Sequence, residues 1–274
     1  MRSFKNTYLE IRHHHDHTLK FLNSSIAFID INNVLKRLEK KGEHSYDKFL
    51  TEWEHSYIEN IKIDKRRIDF LCGRLAGKRA VRRHLLKNSG TGPAEGKEYS
   101  LFKDIEIRRT VTGRPAVFIK DGHGRNGSSE FFISISHTDG VAASLVSNKK
   151  NCKGIGIDIE KIESRNSSLL DVAFTDDEKS KLMRHSFKGN GKGNTILEEE
   201  IARYWSIKEA VMKSMGVGVN IDLKSIEIID TFEYSADVQL KNDALARFNL
   251  LEGIDVKAES TRIENFMVSI ACLY

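Results

Sequence analysis

Gly154-Ile155-Gly156-Ile157-Asp158-Ile159-Glu160 alternates isoleucine with glycine or an acid. A period of two is the mark of a β-strand, in which residues two apart share a face. Ile157 and Ile159 are therefore expected to pack into the core while Asp158 and Glu160 point together. Two carboxylates on one strand face repel each other unless a cation or an arginine lies between them. Hard oxygen ligands of this kind suit Mg²⁺, which takes one or two carboxylates plus waters and substrate phosphates. The same pattern also fits a solvated edge strand with two ordinary surface acids, because D-x-E is a common tripeptide.

Downstream, EEEIARYWSIKEAVMKSMG has helical periodicity and stops at Gly216, a C-cap candidate. Within it Trp205, Glu209 and Lys213 stand at i, i+4 and i+8 and share one face, with Ile207, Ala210, Val211 and Ser214 on the inward side. Glu209 would complete a three-carboxylate metal site with Asp158 and Glu160. Lys213, one turn later, would reach a phosphate or a reacting hydroxyl. The plainer alternative is an exposed Glu–Lys pair worth about a few tenths of a kcal/mol.

Upstream, Ser134-Ile135-Ser136-His137-Thr138 ends an apolar strand. A histidine there, flanked by hydroxyls, can donate to a phosphate; a structural turn histidine fits as well. It is too isolated for a nucleophile–base pair, since no acid is placed to orient it. Residues 64–87, DKRRIDFLCGRLAGKRAVRRHLLK, read as a long helix with Asp64 as N-cap and Ile68, Leu71, Leu75, Val81 and Leu85 at helical spacing. Arg67, Arg74 and Lys78 form a basic stripe along it, and Gly113-Arg114-Pro115 is a rigid turn with a further cation. Such a set can bind several phosphates. A solvated basic face and RNA binding compete with that reading.

Between these landmarks the chain alternates helix with strands twice, with a break near 147–153. IEIRRT, PAVFI, EFFISISH and VAASLVS read as strands before the break, and SIEIID, ADVQL, IDVKAES and FMVSIACLY near the end. FTDDEKSKLM reads as a helix whose Thr175 and Glu178 have capping-box spacing. ISISHTDGVAASLV and RIENFMVSIACLY have the look of equivalent strands in two related halves. The fold class is α+β, with a half at 61–150 and another at 151–274 that carries the acids. Residues 1–60 are an extension or a divergent start of the first half, with helical patterning in IAFIDINNVLKRLEKK.

The 274 residues suffice for two modest cores, and the composition, 39% hydrophobic with two prolines, is that of a globular protein. No apolar run reaches the roughly 18 residues of a membrane span, and MRSFKNTYLEIRHHHDH lacks an apolar secretory core. A cytoplasmic location is expected. Cys72, Cys152 and Cys272 are far apart, which argues for reduced thiols rather than a disulfide frame or zinc knuckle. The net charge of +5 suits nucleic acid, a phosphate-rich small molecule or an acidic partner.

The order GRP, SISHTDG, GIGIDIE, FTDDE, WSIKEAVMK resembles the signature of the 4'-phosphopantetheinyl transferases of the surfactin-synthetase-activating type, and RRIDFLCGRLAGKRAV resembles a helix of that group. The resemblance covers about 64–274. It implies a pseudo-dimer of two similar α+β halves with coenzyme A in an active-site cleft between them. It implies Asp158, Glu160 and Glu209 as Mg²⁺ ligands and Lys213 as the lysine near the reacting phosphate. Ser136 and His137 match the segment that holds the 3'-phosphoadenosine end of coenzyme A. Arg114 and Pro115 match the turn motif, and Arg67, Arg74 and Lys78 the basic helix. The implied reaction moves the phosphopantetheine arm to a serine of an apo acyl or peptidyl carrier protein and releases 3',5'-ADP. The expected enzyme is a monomer with neither nucleic acid nor membrane as partner.

Two rivals use the same residues differently. A Mg²⁺-dependent phosphodiesterase or nuclease would employ the same acids and basic stripe. A nucleic-acid-binding protein would leave the acids without a role and would bind with steep salt dependence. FKGNGKGNT fails the spacing of a nucleotide-binding P-loop. His13-His14-His15-Asp16-His17 invites a zinc reading, but a flexible, solvated tract is the reading the composition favours.

Overall fold

The computed structural model describes residues 23–89, 100–120, 126–128, 130–187, 193–216, 221–247 and 254–274. The tract at His13–His17 and residues 188–192 of the glycine-rich segment lie outside them. The described chain divides into two compact units, 23–151 and 152–274.

In the first unit, β1 (Ser25–Asp30) leads into α1 (Ile31–Lys41), with Asp30 as N-cap accepting from the Asn33 amide. The helical patterning expected over IAFIDINNVLKRLEKK is thus divided. Ile26, Ala27 and Phe28 are buried on both faces of a strand, and only the segment from Ile31 has an apolar stripe against polar residues. A 3₁₀ turn (Glu43–Phe49) and α2 (Glu52–Glu59) follow, then the long α3 (Asp64–Ser89) and α4 (Ser100–Asp104). Asp64 lies inside the first turn of α3 rather than capping it, since the Arg67 amide bonds the Ile63 carbonyl. The remaining strands are β2 (Ile105–Arg109), β3 (Pro115–Lys120), β4 (Asn126–Ser128), β5 (Phe131–Thr138) and β6 (Val141–Asn148). They form two antiparallel sheets of order β1-β6-β5 and β2-β3-β4.

The second unit contains β7 (Gly154–Lys161), α5 (Ser167–Ala173), α6 (Asp176–Phe187) and α7 (Gly193–Met215). After a 3₁₀ turn (Leu223–Ser225) come β8 (Ile226–Thr231), β9 (Ser235–Leu240), α8 (Asn242–Arg247), β10 (Val256–Ile263) and β11 (Phe266–Leu273). Its sheet has the order β7-β11-β10-β9-β8. Helix α7 lies on it and buries Ile207, Ala210, Val211 and Met215 among Ile226, Ile228, Ala258 and Leu273. Among the described residues no helix is long and apolar enough to cross a membrane.

The two units repeat one plan. Each has a hairpin with a two-residue turn, β5–β6 and β10–β11, whose second strand pairs with the unit's first strand, β1 or β7. Each also has one long helix containing a lysine at 0% exposure beside a glutamate at 0% exposure: Lys78 with Glu54, and Lys208 with Glu178. The ammonium of Lys78 donates to the carbonyls of Phe49 and Phe102 at 2.8 Å, and that of Lys208 to those of Ala173 and Leu223 at 2.9 and 3.1 Å. Both glutamates close a capping box, Thr51 with Glu54 and Thr175 with Glu178. Both also accept a strand amide, Glu54 from Ile107 at 3.1 Å and Glu178 from Ile228 at 2.8 Å. The capping threonines donate to Glu106 and Glu227. The two halves thus share an α+β topology and the polar frame that fixes helix to sheet.

Candidate functional site

In β7 the isoleucines are in the core and Asp158 and Glu160 share the opposite face, as a period of two requires. The glycines explain what that face meets. A Cβ on Gly156 would lie 1.8 Å from the carbonyl oxygen of Ala210, and one on Gly154 would lie 2.1 Å from that of Ser214. Strand and helix α7 therefore touch backbone to backbone, which only glycine permits. This contact brings Asp158 and Glu160 beside the face of α7 that carries Trp205, Glu209 and Lys213.

The geometry there is specific. Lys213 Nζ donates to Asp158 Oδ1 at 2.5 Å, and the indole of Trp205 donates to Glu160 Oε1 at 3.1 Å. Arg165, four residues beyond the end of β7, donates to Glu160 Oε2 at 2.6 Å. Sequence reasoning had no partner for Trp205 and passed over Arg165, whose approach depends on the turn after the strand. Burial raises the Glu209 carboxyl to about 7; Lys213 opposes that rise, and the charges of Asp158 and Glu160 reinforce it. Glu160 is raised too, first by burial and then by Asp158, with Arg165 and Lys213 opposing. Three half-buried or buried carboxylates, faced by the two cations Lys213 and Arg165, form a hard-oxygen set that suits Mg²⁺. Asp158, Glu160 and Glu209 are the residues that would hold the ion.

The remaining expected residues belong to the first unit. Ser136 is buried near the end of β5, and His137 follows it, half-exposed. An acid does face that histidine: Asp69 Oδ1 on α3 lies 3.9 Å from His137 Nδ1, a neighbour that sequence distance concealed. Arg114 stacks over the Phe132 ring at 4.5 Å, just before Pro115 opens β3. Gly113 holds the left-handed backbone this turn requires.

The basic stripe of α3 is corrected by the structure. Arg67 is half-exposed and faces the acids of Glu43 and Asp64 at 3.6 Å. Arg74 is 6% exposed and stacks on Phe70 at 4.1 Å, and burial lowers it to about 10. Lys78 is enclosed, and its three donors already meet Glu54 and two carbonyls. A phosphate cannot reach it without dismantling the core, so Lys78 does not bind cofactor.

Comparison with known proteins gives matches within the second unit. The family model for the 4'-phosphopantetheinyl transferase superfamily matches residues 154–269, inside the second unit. The chain is 37% identical over 121 residues to a holo-[acyl-carrier-protein] synthase of Listeria monocytogenes, an alignment covering 44% of this chain and 92% of that one. A synthase of the same name from Staphylococcus haemolyticus is 33% identical over 121 residues, 44% of this chain and 90% of its own. A solved holo-(acyl-carrier-protein) synthase of Bacillus anthracis, in complex with CoA (3',5'-ADP), is 28% identical and covers 46% of this chain and 93% of its own at a TM-score of 0.34. Nearly the whole of each relative is matched by less than half of this chain, and a strand and helix inside the matched family segment bring Asp158, Glu160, Glu209 and Lys213 together. The chain is a transferase belonging to the 4'-phosphopantetheinyl transferase superfamily.

Proposed function

We propose that this chain transfers the 4'-phosphopantetheine arm of coenzyme A to a serine of an apo acyl or peptidyl carrier protein, with Mg²⁺, releasing 3',5'-ADP. The observation that carries the reading is the convergence of Asp158, Glu160 and Glu209 with Lys213 on one strand and one helix face. The names of the relatives, holo-[acyl-carrier-protein] synthases, support it.

Mg²⁺ in this site supplies a Lewis acid that offsets the charge developing on the pyrophosphate oxygens. The protein's own groups do the rest. Glu209, ionised when a cation is bound beside it, is proposed to accept the proton of the attacking serine hydroxyl, directly or through a water held by the ion. Lys213, anchored by Asp158, holds a positive charge one turn from Glu209, where it steadies a reacting phosphate. The Trp205 indole and Arg165 fix Glu160 from two sides and set its orientation. Ser136, His137 and Arg114 are proposed to hold the 3'-phosphoadenosine end of the coenzyme, with Arg67 and Arg74 adding positive potential.

The test is the intact mass of a purified apo carrier protein after incubation with the chain, coenzyme A and Mg²⁺. A gain of about 340 Da that EDTA and Glu209→Gln both abolish is the expected result. No gain across several carrier types, with no coenzyme A binding, would sink the proposal.

A further inference from the structure

We propose a second metal site, in the first unit, formed by His44, Asp47 and His55 and suited to Zn²⁺ rather than Mg²⁺. His44 and Asp47 stand three apart on the 3₁₀ turn Glu43–Phe49, where three residues make a turn and such a pair shares a face. His55 and Glu59 stand four apart on α2 and likewise share a face. Leu50, buried, and the Thr51–Glu54 capping box hold the turn against the helix. The candidate ligand atoms of His44, Asp47 and His55 all lie within 4.8 Å of one another.

The distances fit a hydrogen-bonded pair at His44–Asp47 and also lie close to the spacing of neighbouring ligands on one ion. His44 Nδ1 is 2.9 Å from Asp47 Oδ2, and His55 Nε2 is 3.4 Å from Asp47 Oδ1. Ligands about 2.0–2.2 Å from a tetrahedral Zn²⁺ are spaced about 3.3 Å apart. The His55 ring adds an independent argument. Its Nδ1 lies 3.2 Å from Glu59 Oε1, so a carboxylate faces each ring nitrogen. A neutral imidazole has one N–H. If Nδ1–H donates to Glu59, the Nε2 lone pair faces the Asp47 carboxylate, a position filled either by a second ring proton, as in an imidazolium paired with both acids, or by a metal cation. Carboxylate, imidazole and metal in that order is the arrangement in which an outer acid orients a ligating histidine.

Two imidazoles and one carboxylate select a borderline transition ion over Mg²⁺ or Ca²⁺, which prefer oxygen alone. The site therefore differs in donor chemistry from the carboxylates of the second unit. An ion here would clamp the 3₁₀ turn to α2, whose Phe49 carbonyl and Glu54 carboxylate both hold Lys78.

Calorimetric titration with ZnCl₂ tests the site, in buffer containing excess Mg²⁺. The full chain would carry glutamine at His13, His14, His15 and His17, so that the histidine tract contributes nothing. One Zn²⁺ equivalent is expected that disappears in His55→Gln and in Asp47→Asn. Glu59→Gln should keep the equivalent but weaken it at least about tenfold. Zinc bound at the second unit's carboxylates would persist in all these variants and so cannot mimic the result. A His44→Gln/His55→Gln chain that titrates like its parent would overturn the proposal, as would X-ray absorption of the zinc-loaded chain showing no imidazole ligands.

Discussion

Lys78→Met separates a structural lysine from a phosphate-binding one. In the folded chain the Glu54 carboxylate is wholly buried and accepts from Lys78, from the Thr51 amide at 3.0 Å and from the Ile107 amide at 3.1 Å. Methionine matches the volume of lysine but removes the ammonium that pairs with Glu54, leaving a buried carboxylate with two amide donors. Breaking one side of a buried pair costs about 3–5 kcal/mol, a large share of the roughly 5–15 kcal/mol that holds a domain together. The variant can recover part of this by protonating Glu54. Its deficit against the parent should therefore shrink as pH falls, and Glu54→Gln on top of Lys78→Met should recover stability rather than add a second loss. Urea unfolding followed by tryptophan emission gives the numbers. The chain has two tryptophans, so a Trp205→Phe background leaves Trp53 of α2 to report on the first unit. Coenzyme A affinity, measured on the folded variant, should stay within about threefold of the parent, well under one 1.4 kcal/mol decade. A loss of stability below about 1 kcal/mol together with a large loss of coenzyme A affinity would refute the structural account. The twin substitution Lys208→Met should cost a similar amount in the second unit, since Lys208 has the same set of acceptors.

Glu209 makes stability depend on pH in the opposite sense to an ordinary ion-paired acid. Held at about 7 when metal-free against an ordinary 4.5, it keeps its proton in the folded state while the unfolded chain releases it. Stability should therefore be lost as pH rises from about 4.5 to 7, by up to about 3 kcal/mol. Urea midpoints in EDTA at pH 5 and pH 7.5 should show that loss in the parent and a clearly smaller one in Glu209→Gln, where Glu160, also raised, still titrates; equal slopes would exclude the assignment. Gly156→Ala drives a methyl into the Ala210 carbonyl, so its cost should exceed the about 1–3 kcal/mol of ordinary overpacking, and a thermal midpoint equal to the parent's would contradict the backbone contact. Lys213→Ala should depress kcat far more than coenzyme A binding, and equal losses in both would argue against a role in the reacting step.

Much of the second unit was legible because its signals are local. The period of two in GIGIDIE and the i, i+4, i+8 spacing of Trp205, Glu209 and Lys213 each report a face of one element. The glycines and the acids then had to meet at a single contact. The first unit was harder because its decisive partners are distant. The spacing of Arg74 and Lys78 suggests a phosphate-binding stripe, yet Lys78 is three residues from both Leu75 and Val81, on the apolar stripe itself. That position is the signal that it goes inside; what it finds there, two main-chain carbonyls and Glu54, depends on tertiary structure. Thr51-Glu52-Trp53-Glu54 has the same capping-box spacing that was recognised at Thr175–Glu178, and it was missed amid a polar N-terminal region. Asp69 facing His137 and Arg165 gripping Glu160 depend on packing that no spacing rule reports.

The repeat in the fold itself distinguishes structural acids from working ones. Aligning the two hairpins turn on turn sets Ser144 against Ser269, and their strand partners are Ala27 and Asp158; two residues further along on the same face, Ile29 matches Glu160. Aligning Lys78 with Lys208 sets Arg79 and Arg83 against Glu209 and Lys213. Those arginines donate to the carbonyls of Phe28 and Ile26 on β1. So the first unit has two apolar residues and two arginines where the second has three carboxylates and a lysine. The glutamates that hold the fold, Glu54 and Glu178, occur in both units with the same three partners. A structural duty for Asp158, Glu160 and Glu209 would call for counterparts at Ala27, Ile29 and Arg79, and the first unit packs the same topology without them. Burial and their mutual repulsion raise Glu160 and Glu209 and cost stability, which Arg165 and Lys213 offset only in part. That cost falls only on the unit in which the acids converge, as expected of groups retained for what they bind.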